Sequence, residues 1–283
     1  MKAVFSFYSQ PYNCDVRNHR SNWASIEYEF IVFAYAVSRA KLQFKSVELV
    51  TDEYGRDLVK ELGIEFDKVV LFSVNPGLKL WAAGKMVAYS MQEEPFCHID
   101  SDAFFNRNLP KSLIDSSVCI QSWDDTMSNK WYTETFSNCI KNTKNQYPFD
   151  LFHKCKDRRR LAGCMSLYWC KDVEFNKAYT KRFLDILETD YYKSLPDNFR
   201  VNSFYNVLFE QLMMSEEYFQ MYGEKHSVLL AESELYAPKN SIGFTHIWGV
   251  KGKPDLLKPL ITKISHKMPE IYQRTYNFFN FTT

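Results

Sequence analysis

Hydrophobic positions recur along this chain in two rhythms, and the switch between them marks its elements. Val4-Phe5-Ser6-Phe7-Tyr8 is a short β-rich run closed by Gln10-Pro11-Tyr12-Asn13. A polar loop reaches Ser21, and Asn22 can cap a helix over Trp23 to Ala40, where Ile26, Phe30, Phe33, Ala34 and Val37 fall at helical spacing. Val47-Glu48-Leu49-Val50-Thr51-Asp52 reads as a second strand, Tyr54 to Leu62 as a short helix ended by Gly63, and Lys68-Val69-Val70-Leu71-Phe72 as a third strand. Leu78 to Met91 is predicted helical and leads to the apolar run Phe96-Cys97-His98-Ile99. Strand and helix alternate here as in βαβ units, which predicts an α/β fold with a mostly parallel sheet and helices on both faces.

Beyond Val118-Cys119-Ile120-Gln121, another predicted strand, the rhythm is lost. Residues Asp124 to Arg160 are polar and aromatic-rich without clear period, which predicts a long functional loop or short unresolved elements. The stretch ends in the most basic cluster of the chain, Lys154 to Arg160, expected mainly as a solvated loop and otherwise as a phosphate or acidic-acceptor contact. Leu161-Ala162-Gly163-Cys164-Met165-Ser166-Leu167-Tyr168-Trp169 reads as a buried strand, followed by helices over Val173 to Thr189 and Asn202 to Met214. Val228-Leu229-Leu230 and Gly243-Phe244-Thr245-His246 are late strands, and a basic, aromatic tail from Leu256 is expected to pack as a helix. Such a helix can also lie on an anionic membrane, so peripheral membrane contact is a second expectation for the tail.

The chain has 283 residues, 46% hydrophobic and 17% aromatic, enough for one large cored domain and too apolar for global disorder. The division expected within it is a nucleotide-binding half (1–122), an acceptor and metal-closing half (123–255) and a helical tail (256–283). A net charge of +1 argues against a dedicated nucleic-acid binder. Seven cysteines without a C-x-x-C pair read as reduced thiols, and Cys155, Cys164 and Cys170 lack zinc spacing. The N-terminus enters a strand at once, without a signal-peptide core, and no apolar stretch reaches the length of a membrane span. The expected setting is cytoplasmic.

The candidate chemistry centres on Asp100-Ser101-Asp102, the only D-x-D among 34 acidic residues. In an extended backbone these two carboxylates project to one side, and they repel unless a proton or cation lies between them. A hard divalent ion suits them; a solvated turn is the plainer alternative. Asp100 and Asp52 both stand at carboxyl ends of predicted strands, where ligands of parallel sheets bind. There Asp52 could contact a ribose or base, or simply cap a helix. His246-Ile247-Trp248-Gly249-Val250-Lys251-Gly252-Lys253-Pro254 adds an imidazole, glycines that admit phosphate to the backbone, and two lysines for counter-charge. An imidazole with two carboxylates suits Mn²⁺ better than Ca²⁺.

Asp100-Ser101-Asp102 after an apolar strand, with His246-x-x-Gly249 and a following Lys253-Pro254, resembles nucleotide-sugar glycosyltransferases of the GT-A fold. The pattern is closest to the glycogenin and lipooligosaccharide galactosyltransferase family (glycosyltransferase family eight). The resemblance implies a single GT-A-like domain, with Asp100, Asp102 and His246 as ligands of Mn²⁺ (or Mg²⁺) and Lys251 or Lys253 on a diphosphate. It implies that Gly163 lines the donor sugar and that Glu210 and Gln211 serve its reacting face. Tyr8, Ser101, Lys85 and Gly249 complete the expected donor contacts, with Lys79 an alternative to Lys85. Trp123, Trp131 and Tyr132 could stack on acceptor sugars, although core burial explains aromatic residues more often. The implied activity is transfer of a sugar, with retention, from a nucleotide-sugar such as a UDP-sugar to a saccharide or glycolipid acceptor. An inactive nucleotide- or carbohydrate-binding protein and a metal-dependent phosphohydrolase are the alternatives. The sequence departs from the family pattern at Leu161, where Asn is usual, at Asp255, where an aromatic is usual, and by one extra residue before Lys253-Pro254.

Overall fold

Four of the expected strands lie side by side in the computed structural model, which describes residues 1–9, 15–16, 22–72, 80–126, 130–157, 160–196, 203–223, 227–230 and 241–281. They are β1 (Lys2–Phe7), β2 (Val47–Thr51), β3 (Lys68–Leu71) and β4 (Phe96–Ile99), all parallel, in the order β3-β2-β1-β4. Val4 on β1 lies opposite Glu48 on one side and His98 on the other, so the order reverses direction at β1. Ala3, Val4, Phe5, Val47, Leu49 and Val50 are buried, as continuous apolar runs in a covered parallel sheet should be.

Contacts divide the chain into two compact units, residues 1–73, 96–111 and 238–283 in the first and 74–95 and 112–237 in the second. The first holds the four parallel strands with α1 (Ile26–Lys41) and α2 (Glu53–Leu62). Ser25 rather than Asn22 caps α1, its hydroxyl accepting from the Tyr28 N–H. The periodic stripe understates α1, for every residue from Phe30 to Val37 is buried. A helix apolar all round is covered on several sides, and α1 receives cover from two C-terminal helices, Phe279 stacking on Phe30 with ring centroids 5.5 Å apart. The expected tail helix is thus two helices broken at Pro269, given below as α11 (Pro254–Lys267) and α12 (Pro269–Phe281).

The second unit holds α3 (Ala82–Ser90), β6 (Val118–Asp125), α5 (Lys130–Asn142), α6 (Asp150–Lys154), β7 (Leu161–Cys170), α7 (Val173–Glu188) and α8 (Asp190–Ser194). The short α4 (Lys111–Asp115) belongs to this unit too, all but its first residue. β6 and β7 pair antiparallel, Val118 opposite Cys170, with an irregularity between Ile120 and Ser122. Residues 124–160 are therefore no featureless loop. Tyr132, Phe136 and Cys139 of α5 are buried at i, i+4 and i+7, a helical stripe masked in the sequence by polar neighbours. In the basic cluster Arg160 is buried with its guanidinium 4.1 Å from the Phe136 ring centre, and Lys154 pairs with Asp150. Arg158 and Arg159 lie outside the described residues.

The helix expected over Asn202 to Met214 runs longer and is wound in three ways: α9 (Ser203–Asn206), a π-helical segment (Val207–Leu212) and α10 (Met213–Tyr222). Of the late strands, Val228 makes a single parallel bridge to Ile120, whereas β8 (Phe244–His246) pairs antiparallel with β5 (Ala103–Phe105) in the first unit. Cys119, Cys139 and Cys170 are buried, and burial pushes each thiol up to about 12. Among the described residues no helix is long and apolar enough to cross a membrane.

Candidate functional site

Asp100 leaves the carboxyl end of β4 and Asp102 follows on a turn, closed by the Ala103 N–H donating to the Asp100 carbonyl at 3.0 Å. The two carboxylates thus sit on a reversal between β4 and β5, not along an extended strand. The β5–β8 pairing places Ala103 opposite His246, and the Ile247 N–H donates to the Asp102 carbonyl at 3.1 Å. That ladder is what carries His246 to the D-x-D. His246 Nε2 stands 3.4 Å from Asp102 Oδ2, and one potential ligand atom from each of Asp100, Asp102 and His246 lies within 4.8 Å of the others.

A fourth group completes the cluster. Lys251 Nζ is 2.5 Å from Asp102 Oδ2, and it also sits 5.6 Å from the Trp23 ring centre. Successive turns, Val250 N–H to Ile247 carbonyl (3.0 Å) and Lys253 N–H to Val250 carbonyl (2.9 Å), bring Lys251 back over the site. The Ala24 N–H donates to the Lys251 carbonyl at 2.7 Å, and a side chain at Gly252 would stand 3.2 Å from the Asn22 carbonyl oxygen. Glycine is what allows this approach. Asp102 is only 3% exposed. Burial alone would raise its carboxyl, but the charges and hydrogen bonds of His246 and Lys251 outweigh it and hold the group far below the usual carboxylate range. Burial likewise opposes the charge on Lys251, and the carboxylates of Asp102, Asp100 and Glu29 overcome it and raise the ammonium.

These residues fit a divalent ion. Ligands about 2.0–2.2 Å from one ion lie at most about 4.4 Å apart, so a closure of a few tenths of an ångström would seat all three. The buried Asp102 already draws a cation, and two carboxylates with an imidazole are a donor set for a divalent cation. Sequence reasoning missed one neighbour, His98. It is buried on β4, its Nε2 hydrogen-bonded to Ser6 Oγ at 2.9 Å and its Nδ1 3.8 Å from Asp100 Oδ1. The available signal was a titratable residue two positions before Asp100, hence on the same strand face.

Tyr8, just past β1, is buried, its ring 5.9 Å from that of Phe72. Asp52 caps α2: Oδ1 accepts from the Gly55 N–H (2.9 Å) and Oδ2 from the Ser9 N–H (2.9 Å) and hydroxyl (2.6 Å). Ser101 lies on the turn between the carboxylates, and Lys253 is exposed at the start of α11. Among the described residues nothing stands within 4 Å of where a Gly249 side chain would begin. Asp52→Ala removes a helix cap and the Ser9 anchor together; the expected cost is about 1–2 kcal/mol, read by urea unfolding, and an unchanged midpoint would contradict that role.

In the second unit Lys85 of α3 meets Glu210 of the π-helical segment at 3.0 Å, and its Nζ also donates to the Met165 carbonyl at 3.2 Å. Glu210 is fully buried, whereas Gln211 is half-buried. Gly163 packs against Ile120, whose Cδ1 would stand 2.9 Å from any added side chain. Trp123 is tucked against Tyr218 and Phe219, and Tyr132 is buried, while Trp131 is 67% exposed. Lys79 lies outside the described residues.

The family described as "Family of unknown function (DUF6734)" matches residues 1–278. Comparison with curated proteins gives no match. Among solved structures, the galactosyltransferase LgtC with donor and acceptor sugar analogues is 11% identical, covering 93% of this chain and 96% of its own, with a TM-score of 0.44. Mouse xyloside xylosyltransferase 1 is 10% identical over 87% of this chain and 97% of its own, with a TM-score of 0.41. The glycosyltransferase GlyE of Streptococcus pneumoniae TIGR4 is 9% identical over 95% and 64%, with a TM-score of 0.31. At these identities and TM-scores the likeness carries no argument about chemistry, which rests on the side chains above.

Proposed function

We propose that this chain, which belongs to the family of unknown function DUF6734, is a metal-dependent glycosyltransferase acting on a nucleotide-sugar, with a UDP-sugar the preferred donor. The observation that carries the reading is the convergence of Asp100, Asp102, His246 and Lys251 beyond the carboxyl end of β4. Beyond the carboxyl ends of its strands is where a parallel sheet of this kind binds ligands. Asp100, Asp102 and His246 would hold Mn²⁺ or Mg²⁺. Bound there, the ion supplies Lewis-acid stabilisation of the leaving diphosphate. Lys251 is the chain's own positive charge at that place, with Lys253 two residues on, and the open side of Gly249 admits phosphate to the backbone. Tyr8, Asp52 and Ser101 border the donor in this reading.

In the second unit we assign the sugar's reacting face to Glu210 and Gln211, with transfer by retention. Gln211 has accessible surface, and Glu210, fixed by Lys85, sets the position of the pair. Gly163, packed against Ile120, Met214 and Trp123, lines the donor sugar in this reading. The acceptor is a saccharide or a glycolipid, with the exposed Trp131 a stacking surface for it. Lys258, Lys263 and Lys267 are exposed on α11, so contact with an anionic membrane would fall there. Buried free thiols suit a reducing, cytoplasmic setting.

Thermal shift with uridine, guanosine and cytidine diphosphates, each with Mn²⁺ or with chelator, tests the reading. A ligand at a hundred times its Kd stabilises by about 2.7 kcal/mol; the expected result is a shift with uridine diphosphate that requires the metal. No shift with any nucleotide in the presence of Mn²⁺ would sink it. Slow hydrolysis of a UDP-sugar separates an enzyme from a protein that only binds, and phosphate release from simple phosphoesters would favour a phosphohydrolase.

A further inference from the structure

Lys251 occupies the Asp102 oxygen that faces His246, the candidate ligand across the site. Its ammonium lies 2.5 Å from Asp102 Oδ2, the same oxygen that faces His246 Nε2 at 3.4 Å. A divalent ion bound to Asp102 at about 2.0–2.2 Å would share one carboxylate with a second cation, beside a residue only 3% exposed, where repulsion between like charges is weakly screened. With the ammonium where it stands, the ion meets a like charge on the carboxylate it binds. Yet the Lys251 backbone is fixed: its carbonyl accepts from the Ala24 N–H at 2.7 Å, and Gly252 rests against the Asn22 carbonyl. Only the side chain is left to move. It is 27% exposed and sits beside the Trp23 ring, which gives its stem a surface to move along.

We infer that Lys251 is the specificity-determining residue of the metal site: a tethered cation that holds Asp102 until a diphosphate draws it away, so that metal and diphosphate enter together. This rests on the metal-site reading above and adds the condition under which the site loads. Free Mn²⁺ has to displace the ammonium without recompense. With a diphosphate present, the ammonium exchanges one anion for another and Asp102 is released to the ion. The affinities of metal and diphosphate are then linked, each raising the other by the same factor. An uncharged nucleoside gives Lys251 nothing to move to and leaves the metal affinity unchanged.

The test is Mn²⁺ binding followed by the electron paramagnetic resonance of the free ion, with no turnover required. Wild-type protein and Lys251→Met, which keeps the stem and removes the charge, are each titrated alone, with uridine and with uridine diphosphate. Lys251→Met is expected to bind Mn²⁺ alone at least tenfold more tightly than wild type, and to gain less from the diphosphate. Uridine is expected to change neither. Lys251→Gln repeats the comparison should the methionine variant fail to fold. Equal Mn²⁺ affinities for wild type and variant, both abolished by Asp102→Asn, would overturn the inference and leave the metal site standing. Absence of Mn²⁺ binding in every protein, with or without diphosphate, would overturn the metal site and this inference with it.

Discussion

Asp102→Asn is expected to weaken Mn²⁺ binding by about a hundredfold or more and to abolish metal-dependent nucleotide binding with it. Losing a residue that merely supports a ligand already costs roughly 10–100-fold, and the amide offers one weak oxygen where the carboxylate offered a charge. The change is isosteric, so the β5–β8 ladder and the Ile247 N–H bond to the residue-102 carbonyl stay in place. The apo protein is also expected to lose stability, since Lys251 and His246 would face a neutral group. That part has a definite pH signature. The folded carboxyl of Asp102 is held below its unfolded value, about 3.9, so the stability it adds is fully present above that value and fades as the pH falls through it towards the folded one. The gap between wild type and Asp102→Asn in urea unfolding should therefore be wide at pH 7 and narrower at pH 3. A gap of equal width at both, or unchanged Mn²⁺ affinity, would contradict the assignment. His246→Ala tests the same cluster from the other strand and should weaken Mn²⁺ binding by about tenfold or more.

The second large effect is expected in the other unit and on stability. Glu210→Ala leaves Lys85 buried without its carboxylate, and breaking one side of a buried ion pair costs about 3–5 kcal/mol. Replacing both partners by apolar residues, Lys85→Met with Glu210→Leu, should recover most of that loss, because no buried charge is then stranded. The cycle is read by urea unfolding of the two single variants and the double. If the double variant is as unstable as the sum of the singles, the pair is not a unit and Lys85 is satisfied elsewhere, as by the Met165 carbonyl or the Trp81 ring.

Much of this was written in local chemistry. β1, β2, β3 and β4 are short apolar runs with turn residues at their ends, and α2 lies between a capping Asp52 and Gly63, so pattern alone finds them. The cluster of Asp100, Asp102 and His246 was legible because carboxylates at i and i+2 and a glycine-flanked histidine are rare in such places. What carries His246 to Asp102 was not legible: β5 is three residues long and its pairing with β8 is set by tertiary contact, not propensity. Lys251 and Lys253 are indistinguishable in sequence, and only the turns after Ile247 aim Lys251 at Asp102. His98 was hidden inside an apolar run that reads as plain core. The Lys85–Glu210 pair was hidden for the opposite reason, since each residue looks like an ordinary charged position of a helix surface. α5 escaped because a stripe built of Tyr132, Phe136 and Cys139 carries a weaker apolar signal than leucine or valine would.

The β5–β8 ladder has a consequence for how the molecule comes into being. It joins partners about 140 residues apart in the chain, and contacts of such long separation are the slow ones to form. Nearly all of the sequence has to be synthesised before Asp102 can meet His246. In refolding, helical signal should return first and Mn²⁺ uptake last. Metal capture by this chain would then serve as a chemical certificate of a finished fold, withheld from truncated or half-folded copies that could otherwise scavenge the ion.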